Sequence, residues 1–370
     1  MKKVMKILII NSVCGIKSTG RIAASMAESF IKNGDKAVVA FGREQVPYKY
    51  KDISYRICSE ITVKVNALQT RVFDSDGFTS NHATAKFLKW ADNYNPDLLW
   101  LHNLHGYYIN VEMLFKWIKS RPKMQVNWTL HDCWSFTGHC SYYTYAHCNK
   151  WMKQCYDCKQ KREYPASFFR DASYANYLKK KELFTGVEKM SLITPSKWLA
   201  NEVKKSFLKD YSIEVVYNTI DTSIFKPTPS NIKTRLRIPD KKMILGVAAQ
   251  WQLIKGWYDF IKLADMIDHS YVIVLVGVTK EQKKELPCNV IGIERTANTM
   301  ELAKIYTAAD VFVNPTYEDN YPTTNLEAQA CGTPCITYRT GGSVESVKQE
   351  NIIEVGNVHA LWLKIKEIVD

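Results

Sequence analysis

Carboxylates and a lysine in the last third of this 370-residue chain have the residue types needed to bind a phosphorylated, hydroxyl-rich ligand. Asp319 and Glu327 have seven residues between them, and Glu318 directly precedes the first of the two. An ionised carboxylate accepts hydrogen bonds from hydroxyl groups at both of its oxygens. Lys255 precedes Gly256 in a predicted strand–loop–helix unit, where an ammonium group can neutralise a phosphate. The pattern predicts a site for an anionic ligand that also carries hydroxyl groups.

The elements that must position these residues are predicted from the apolar pattern around them. Residues 311–313 form a short apolar run that ends at Asn314 and Pro315, as a buried parallel strand does where it meets a loop. Hydroxyl and amide side chains then precede a helix-forming run, at Thr323, Thr324 and Asn325. A helix start exposes N–H groups and a partial positive charge, so it attracts anions or sugar oxygens. Gly341 and Gly342 predict a turn that lets the backbone approach a ligand closely.

This order of strand, loop, acidic pair, helix, strand and Gly-Gly turn resembles the donor-site signature of the retaining GT-B glycosyltransferases of family 4, of the bacterial capsule, exopolysaccharide and colanic-acid kind. In that family a carboxylate and a glutamate are separated by seven residues. Alignment of Tyr321 and Pro322 with the family's aromatic pair puts Asp319 at the first acidic position and Glu327 at the second. Glu318 remains the alternative for the first position. The resemblance implies an α/β fold with two Rossmann-like, doubly wound domains facing across a cleft.

The resemblance also implies a nucleoside diphosphate sugar as donor and no cofactor for catalysis. Glu327 then bonds the ribose hydroxyls, while Lys255 and the helix start hold the diphosphate as leaving group. The first acid fixes the sugar ring, and retention of configuration requires no dedicated nucleophile. Family members usually carry an arginine five residues before the lysine, a position that Gln250 occupies here. Arg339 or a basic residue of the first domain is expected to replace its charge.

The length of the chain and its alternation of predicted strands and helices indicate two domains. Residues 218–221 resemble the turn where family members leave their first domain, and residues 227–230 have linker composition. We therefore predict an acceptor-side Rossmann-like domain over 1–222 and a nucleotide-sugar-binding one over 223–370. The first contains a cysteine-rich insertion at 132–165. No apolar run approaches the length of about eighteen residues that a membrane-spanning helix needs.

The excess positive charge lies in the first predicted domain. Residues 1–222 contain 33 Lys+Arg and 20 Asp+Glu, against 17 and 17 in residues 223–370, which gives the formal net charge of +13. General solubility is one explanation; an anionic membrane surface or a phosphate-bearing acceptor is another. Nucleic acid is not expected, because no recognition motif accompanies the charge. With the resemblance, this predicts a saccharide or polyprenyl-diphosphate-linked acceptor and a cytoplasmic protein, peripheral on the inner face of the cytoplasmic membrane.

Candidate ligand-binding residues of the first domain follow its predicted strands. Small residues lie where a loop passes into the first helix, and the resemblance places such residues near the donor phosphates or the acceptor: Ser18, Thr19 and Gly20. His105 and His131 each follow a predicted strand, at the carboxyl ends where open α/β sheets bind ligands. His131 resembles the family's histidine that hydrogen-bonds the transferred sugar, with Asp132 orienting its ring. A purely structural role is the alternative for His102 and His105.

Five of the ten cysteines lie within 26 residues, in a segment rich in Tyr, Cys and Lys. Cys155 and Cys158 have the spacing of two ligands of one metal ion. In a cytosolic protein such thiols are expected to be reduced rather than joined in disulfides. The sequence predicts a structural zinc ion with four thiolate ligands, Cys140, Cys148, Cys155 and Cys158. His139 and His147 are alternative ligands. Reduced, half-buried thiols without a metal are the alternative.

A different class of function is compatible with part of the pattern. A basic, zinc-containing nucleic-acid or partner-binding protein without catalysis would account for the charge and the cysteines. It would leave the acidic pair of residues 319 and 327 unexplained. A nucleotide-sugar epimerase is disfavoured, because no Gly-x-Gly-x-x-Gly fingerprint follows the first predicted strand. The sequence therefore favours a glycosyltransferase.

Overall fold

The computed structural model describes residues 3–370, which divide into two compact units after Tyr217. We call the part up to Tyr217 unit 1 and Asn218–Asp370 unit 2. The predicted boundary after residue 222 lies five residues further along the chain. Each unit contains one sheet in which all paired strands are parallel.

Unit 1 is built on a sheet of seven strands with helices between them. The strands are β1 Lys6–Asn11, β2 Lys36–Phe41, β3 Ser54–Arg56, β4 Leu98–Leu101, β5 Gln125–Thr129, β6 Met190–Thr194 and β7 Ser212–Val215. The α-helices are α1 Lys17–Lys32, α2 Glu60–Phe73, α3 Asn81–Tyr94, α4 Val111–Lys119, α5 Ser173–Phe184 and α6 Lys197–Val203.

The strand order of unit 1 is β3-β2-β1-β4-β5-β6-β7. The chain runs outward from β1 to β3 and then crosses back to β4, so the order reverses between β1 and β4. Successive side chains of β1 point to opposite faces, and both faces are buried: Ile7 and Ile9 belong to one apolar cluster, Leu8 and Ile10 to another. The loops after β1 and β4 flank the reversal, which is where doubly wound sheets bind ligands.

Unit 2 repeats this plan with six strands. The strands are β8 Lys242–Val247, β9 Tyr271–Val276, β10 Val290–Ile293, β11 Val311–Asn314, β12 Cys335–Tyr338 and β13 Ile352–Ile353. The α-helices are α7 Ile232–Arg235, α8 Trp257–Ala264, α9 Lys280–Lys284, α10 Thr299–Ala308, α11 Thr323–Ala330 and α12 Val358–Val369.

The strand order of unit 2 is β10-β9-β8-β11-β12-β13, with its reversal between β8 and β11. Side chains of β8 again alternate between two buried clusters, with Ile244 in one and Met243 and Leu245 in the other. The predicted α/β class with two Rossmann-like domains is therefore confirmed. No helix in the described part of the chain, residues 3–370, has the length and apolar character needed to cross a bilayer.

Candidate functional site

Lys255 lies in the loop after β8, at the end of a single 3-10 turn. Gly256 follows with a φ of +77°, and a Cβ there would lie 2.4 Å from the carbonyl oxygen of Pro315. The absence of a side chain therefore allows the loop after β8 to lie against the loop after β11. A backbone hydrogen bond holds this contact, since the N–H of Tyr317 donates to Ile254 O at 2.8 Å. The two loops meet at the reversal in the strand order of unit 2.

We expect Gly256→Ala to destabilise unit 2 and to weaken the contact between these loops. The left-handed backbone costs an alanine about 1–3 kcal/mol, and the clash with Pro315 adds to this. Gly332→Ala is the matched control, because its φ is +85° but a Cβ would meet only Pro227, at an ordinary 3.6 Å. Thermal unfolding measures the difference. Equal melting temperatures for the two variants would show that the loop relieves the clash at no cost.

Lys255 has Asp319, not the Glu318 side chain, as its carboxylate partner. Lys255 Nζ lies 2.7 Å from Asp319 Oδ2, and the two side chains are 33% and 18% exposed. The backbone carbonyl of Glu318 also accepts from this nitrogen, at 3.3 Å. The carboxyl side chain of Glu318 is buried. Of the two candidates for the first acid, Asp319 is therefore the one placed beside the cation.

The start of α11 lies at the end of the same loop. The helix begins at Thr323, and no side chain caps its first turn. Such a terminus favours an anion, because its first N–H groups have no partners within the helix. Asn325 is buried, where its amide donates to Ser346 Oγ at 2.8 Å and its oxygen accepts from Asn314 Nδ2 at 2.8 Å. The Asn325 side chain thus anchors the helix start to Asn314 and Ser346.

Glu327 lies further along α11 and is only 3% exposed. The phenol of Tyr306 donates to Glu327 Oε2 at 3.1 Å. Burial and the charge of Glu327 raise the pKa of Tyr306 well above its ordinary value, so the phenol keeps its proton and remains a donor. This hydrogen bond fixes the orientation of the Glu327 carboxylate relative to the helix.

The Gly341–Gly342 turn follows β12. Thr340, just before the turn, donates through Oγ1 to the carbonyl of Tyr317 at 2.8 Å, so the turn lies beside the loop after β11. Arg339, one of the two expected sources of an additional cation, has a carboxylate partner in the structure. Its Nε lies 2.5 Å from Glu354 Oε1 in an exposed ion pair. Lys255 contacts the loop after β11 directly, through Asp319 and the carbonyl of Glu318.

The small residues that follow β1 form the first turn of α1: Ser18, Thr19 and Gly20. The helix begins at Lys17. A Cβ at Gly20 would lie 2.9 Å from Val13 Cγ2, so the glycine allows the helix to approach the loop closely. Asn11, the last residue of β1, donates to Val13 O at 2.8 Å. These residues therefore form a helix start at the strand-order reversal of unit 1.

Two pairs of side chains meet at the carboxyl ends of β4 and β5, and each joins a buried histidine to a partly buried partner. His102 Nδ1 lies 2.9 Å from His131 Nε2, and His105 Nε2 lies 2.7 Å from Asp132 Oδ2. The phenol of Tyr164 lies 3.0 Å from the other ring nitrogen of His105. Asp132 therefore orients His105, whereas the family resemblance predicts that it orients the ring of His131. The three histidines and Asp132 line one small pocket.

The two pairs differ in their charge states. Burial lowers the pKa of His131 to about 4, so its imidazole is neutral near pH 7. Burial, and after it the neighbouring His131, hold the pKa of His102 well below its ordinary value. For His105 burial also acts to lower the pKa, but the carboxylate of Asp132 outweighs burial and the pKa is raised. The pocket thus contains a neutral histidine pair beside a histidine whose protonated form is favoured by a carboxylate.

The cysteine-rich segment between β5 and α5 is irregular apart from 3-10 turns at Trp134–Phe136 and Lys150–Met152. All ten cysteines are free thiols. A hydrogen bond with Cys140 lowers the pKa of Cys158 to about 7, and the N–H of Gly138 donates to Cys155 Sγ at 3.2 Å. Among residues 3–370, no group of three or more His, Cys, Asp or Glu side chains is placed to hold a metal ion.

The predicted zinc site therefore has no support from the structure. Of the four predicted ligands, Cys140, Cys148, Cys155 and Cys158, the first and the last share a hydrogen bond, and Cys155 accepts one from the backbone. Without that metal, the alternative of a zinc-containing binding protein loses one of its two supports. The basic charge remains its other support, but this alternative does not explain the Lys255–Asp319 contact.

Comparison with known proteins relates unit 2 to a family of transferases. Residues 230–370 match the family model described as Glycosyl transferases group 1. The chain is 28% identical over 152 residues to the D-inositol 3-phosphate glycosyltransferase of Corynebacterium jeikeium (strain K411), which covers 35% of this chain and 36% of that protein. It is 21% identical over 336 residues to WcaC of Escherichia coli (strain K12), a protein provisionally assigned as a colanic acid biosynthesis glycosyl transferase. That alignment covers 87% of this chain and 79% of WcaC. The chain thus spans about a third of the first relative's length.

Solved structures share the fold along the whole chain. Anabaena HepE in complex with UDP and glucose has a TM-score of 0.67 at 14% identity, and the alignment covers 99% of this chain and 90% of that one. Identity at this level shows the fold alone. The chain therefore has the α/β fold of GT-B proteins, with two Rossmann-like domains, and its residues 230–370 match the glycosyl transferases group 1 family.

Proposed function

We propose that the chain is a glycosyltransferase that moves a sugar from a nucleoside diphosphate sugar to a saccharide acceptor with retention of configuration. The proposal depends above all on the Lys255–Asp319 contact at the strand-order reversal of unit 2. Glu327 lies buried in the helix that follows the same loop. A cation, two carboxylates and a helix start suit a ligand with both a diphosphate and sugar hydroxyls. The group 1 match over residues 230–370 supports the same class of reaction.

Each candidate residue of unit 2 is assigned one task in holding the donor. Lys255 and the first N–H groups of α11 neutralise the diphosphate, whose negative charge grows as the bond to the sugar breaks. Glu327, oriented by Tyr306, accepts hydrogen bonds from the ribose hydroxyls. Asp319, or alternatively Glu318, fixes the sugar ring. The departing phosphate takes the proton of the acceptor hydroxyl, so the proposed reaction requires no protein nucleophile and no cofactor.

In unit 1, His131 is proposed to hydrogen-bond the transferred sugar. A neutral imidazole suits this task, because it can donate or accept a hydrogen bond without adding charge near the sugar. The contact with His102 determines which ring nitrogen of His131 carries the proton. The first turn of α1 and His105 are proposed to serve the acceptor or a phosphate group.

We further propose a lipid-linked saccharide as the acceptor, in surface polysaccharide biosynthesis, and a peripheral position on the inner face of the cytoplasmic membrane. The charge of residues 1–222, with 33 Lys+Arg against 20 Asp+Glu, supports an anionic partner for unit 1. A polyprenyl diphosphate carries its charge at the surface of an anionic bilayer, so a basic unit would be attracted to both. The likeness to WcaC supports the same setting.

The donor proposal is tested by thermal unfolding of the full chain with UDP, GDP, ADP, dTDP and CDP. A nucleotide that binds the folded state stabilises it by RT ln(1 + [L]/Kd), or about 2.7 kcal/mol at a hundredfold excess over Kd. We expect at least one of the five to raise the melting temperature, and Lys255→Ala to abolish that rise. No rise with any nucleotide, or a rise that survives in the variant, would contradict the proposed donor site.

A further inference from the structure

Helix α2 of unit 1 presents an apolar row to solvent. Ile61, Val65 and Leu68 are 74%, 58% and 62% exposed. Their spacing of four and then three residues places them on one face of the helix, one above the other. Large apolar side chains scattered singly over a surface are common, but a row of three along one helix is not explained in that way.

The opposite face of α2 buries polar side chains. Asn66 and Thr70 are buried, and the Asn66 amide donates to Tyr107 O at 2.9 Å and to the hydroxyl of Ser80. A helix on the surface of a globular protein normally buries its apolar residues and exposes its polar ones. Val63 is an apolar residue of α2 that packs against the core, whereas the exposed row lies opposite the buried Asn66 and Thr70. Burial within unit 1 therefore does not account for the row.

A neighbouring segment extends the apolar surface. Phe168 and Phe169 are 51% and 77% exposed. The N–H of Phe168 donates to Arg71 O at 2.8 Å, and the N–H of Arg170 donates to Val72 O at 3.2 Å. These bonds fix residues 167–170 beside the last turn of α2. We call the surface formed by Ile61, Val65, Leu68, Phe168 and Phe169 the α2 face.

Cations border the α2 face. Lys64 and Arg71 each lie three residues after a member of the apolar row, which places them on the adjoining strip of the helix, and both are exposed. Arg170 follows Phe169 and is exposed as well. The acidic residue of α2, Glu60, lies in its first turn, where Gln45 donates to its carboxylate at 2.8 Å. The border of the apolar row is thus predominantly basic.

We propose that the α2 face docks on an anionic lipid surface, an inference that rests on the membrane-linked acceptor proposed above. Apolar side chains in one row with lysine and arginine beside them are the features that hold a helix in the interface of a bilayer. Cations near an anionic leaflet add attraction that falls with ionic strength. The basic border complements anionic headgroups, and the inserted side chains meet a fluid surface that needs no matching shape.

The test is sedimentation of the full chain with vesicles of phosphatidylcholine and phosphatidylglycerol, and with vesicles of phosphatidylcholine alone. We expect the wild-type chain to bind the anionic vesicles and to bind the neutral ones weakly. Ile61→Gln, Val65→Gln and Leu68→Gln together should lower the partition coefficient at least about tenfold, because three apolar side chains no longer leave water. Lys64→Ala with Arg71→Ala should reduce binding and its dependence on salt.

Three exposed apolar residues of unit 2 provide the matched control, namely Met300, Val355 and Leu363. Their joint replacement by glutamine should leave vesicle binding unchanged. Nucleotide-induced thermal stabilisation of the α2-face variant reports whether the chain is folded and whether the donor site is intact. If nucleotides stabilise the wild-type chain but it does not bind vesicles, the proposed docking surface is wrong and the proposed donor site is unaffected. Self-association of the wild type that the glutamine variant abolishes, with no vesicle binding, would assign the face to a second copy.

Discussion

Replacement of Lys255 by alanine is expected to lower sugar transfer by at least roughly a hundredfold, the scale of losing one contact to a developing negative charge. The ammonium group lies 2.7 Å from Asp319 Oδ2, so its removal also leaves that carboxylate without its cation next to the proposed diphosphate position. The measurement is kcat/KM with the nucleotide sugar whose nucleotide stabilises the wild-type chain most.

Lys233→Ala is the matched control for this loss. Lys233 Nζ also lies 2.7 Å from an aspartate, Asp310 Oδ2, and both residues belong to unit 2. Asp310 precedes β11, so this pair lies at the amino end of the strand, opposite to the edge that holds Lys255. We expect Lys233→Ala to keep near-normal transfer. Comparable losses in the two variants, or normal transfer in Lys255→Ala, would count against a diphosphate contact at Lys255.

The elements that carry the site could be predicted because their sequence patterns are strong. Helix Val111–Lys119 has an amphipathic sequence, and Asn110 is a favourable N-cap that accepts from the N–H of Met113 at 3.0 Å. Strand Tyr271–Val276 is a continuous apolar run, as expected of a parallel strand covered on both faces. Two short strands could not be predicted, Ser54–Arg56 and Ile352–Ile353, because two or three residues are too few to show an alternation of apolar and polar side chains.

Side-chain partners within the site could not be predicted in the same way. The sequence places His102, His105, His131 and Asp132 at neighbouring strand ends, which the structure bears out. It does not reveal that Asp132 reaches His105 rather than the adjacent His131. Such choices depend on rotamers and on the exact course of two loops, and several partners compete at similar distance. The proposed sugar contact of His131 therefore has a histidine, not a carboxylate, beside it.

The partners of the charged residues around the proposed diphosphate site could not be predicted from the sequence either. Arg339 is close in sequence to the Gly-Gly turn, which makes it a reasonable substitute for the cation missing at Gln250. In the structure it pairs with Glu354, on the strand-to-loop segment that follows β13. No local pattern in the sequence joins residues 339 and 354, because the pairing arises only when β12 and β13 lie side by side. The sequence therefore identifies Lys255 as a candidate cation but does not reveal the partner of Arg339.

Glu327→Gln is expected to lower transfer at least roughly a hundredfold as well. The substitution preserves size, and the amide oxygen can still accept from the phenol of Tyr306. What it removes is the negative charge and one of the two acceptor oxygens. A ribose offers two hydroxyl donors, and the amide that replaces an oxygen cannot accept from either. Because Glu327 is 3% exposed, water does not readily take the place of the lost acceptor.

The pattern of kinetic change distinguishes a ribose contact from a structural role. Loss of a contact made equally in the bound donor and the transition state raises KM for the nucleotide sugar, whereas loss of a contact that orients the sugar for bond breaking lowers kcat. We expect both changes for Glu327→Gln, together with a smaller thermal stabilisation by the cognate nucleotide. Glu354→Gln, which removes an exposed carboxylate of the same unit, should change none of the three. Unaltered nucleotide binding and turnover in Glu327→Gln would contradict the ribose contact, because that contact is the one task that the proposed mechanism gives to Glu327.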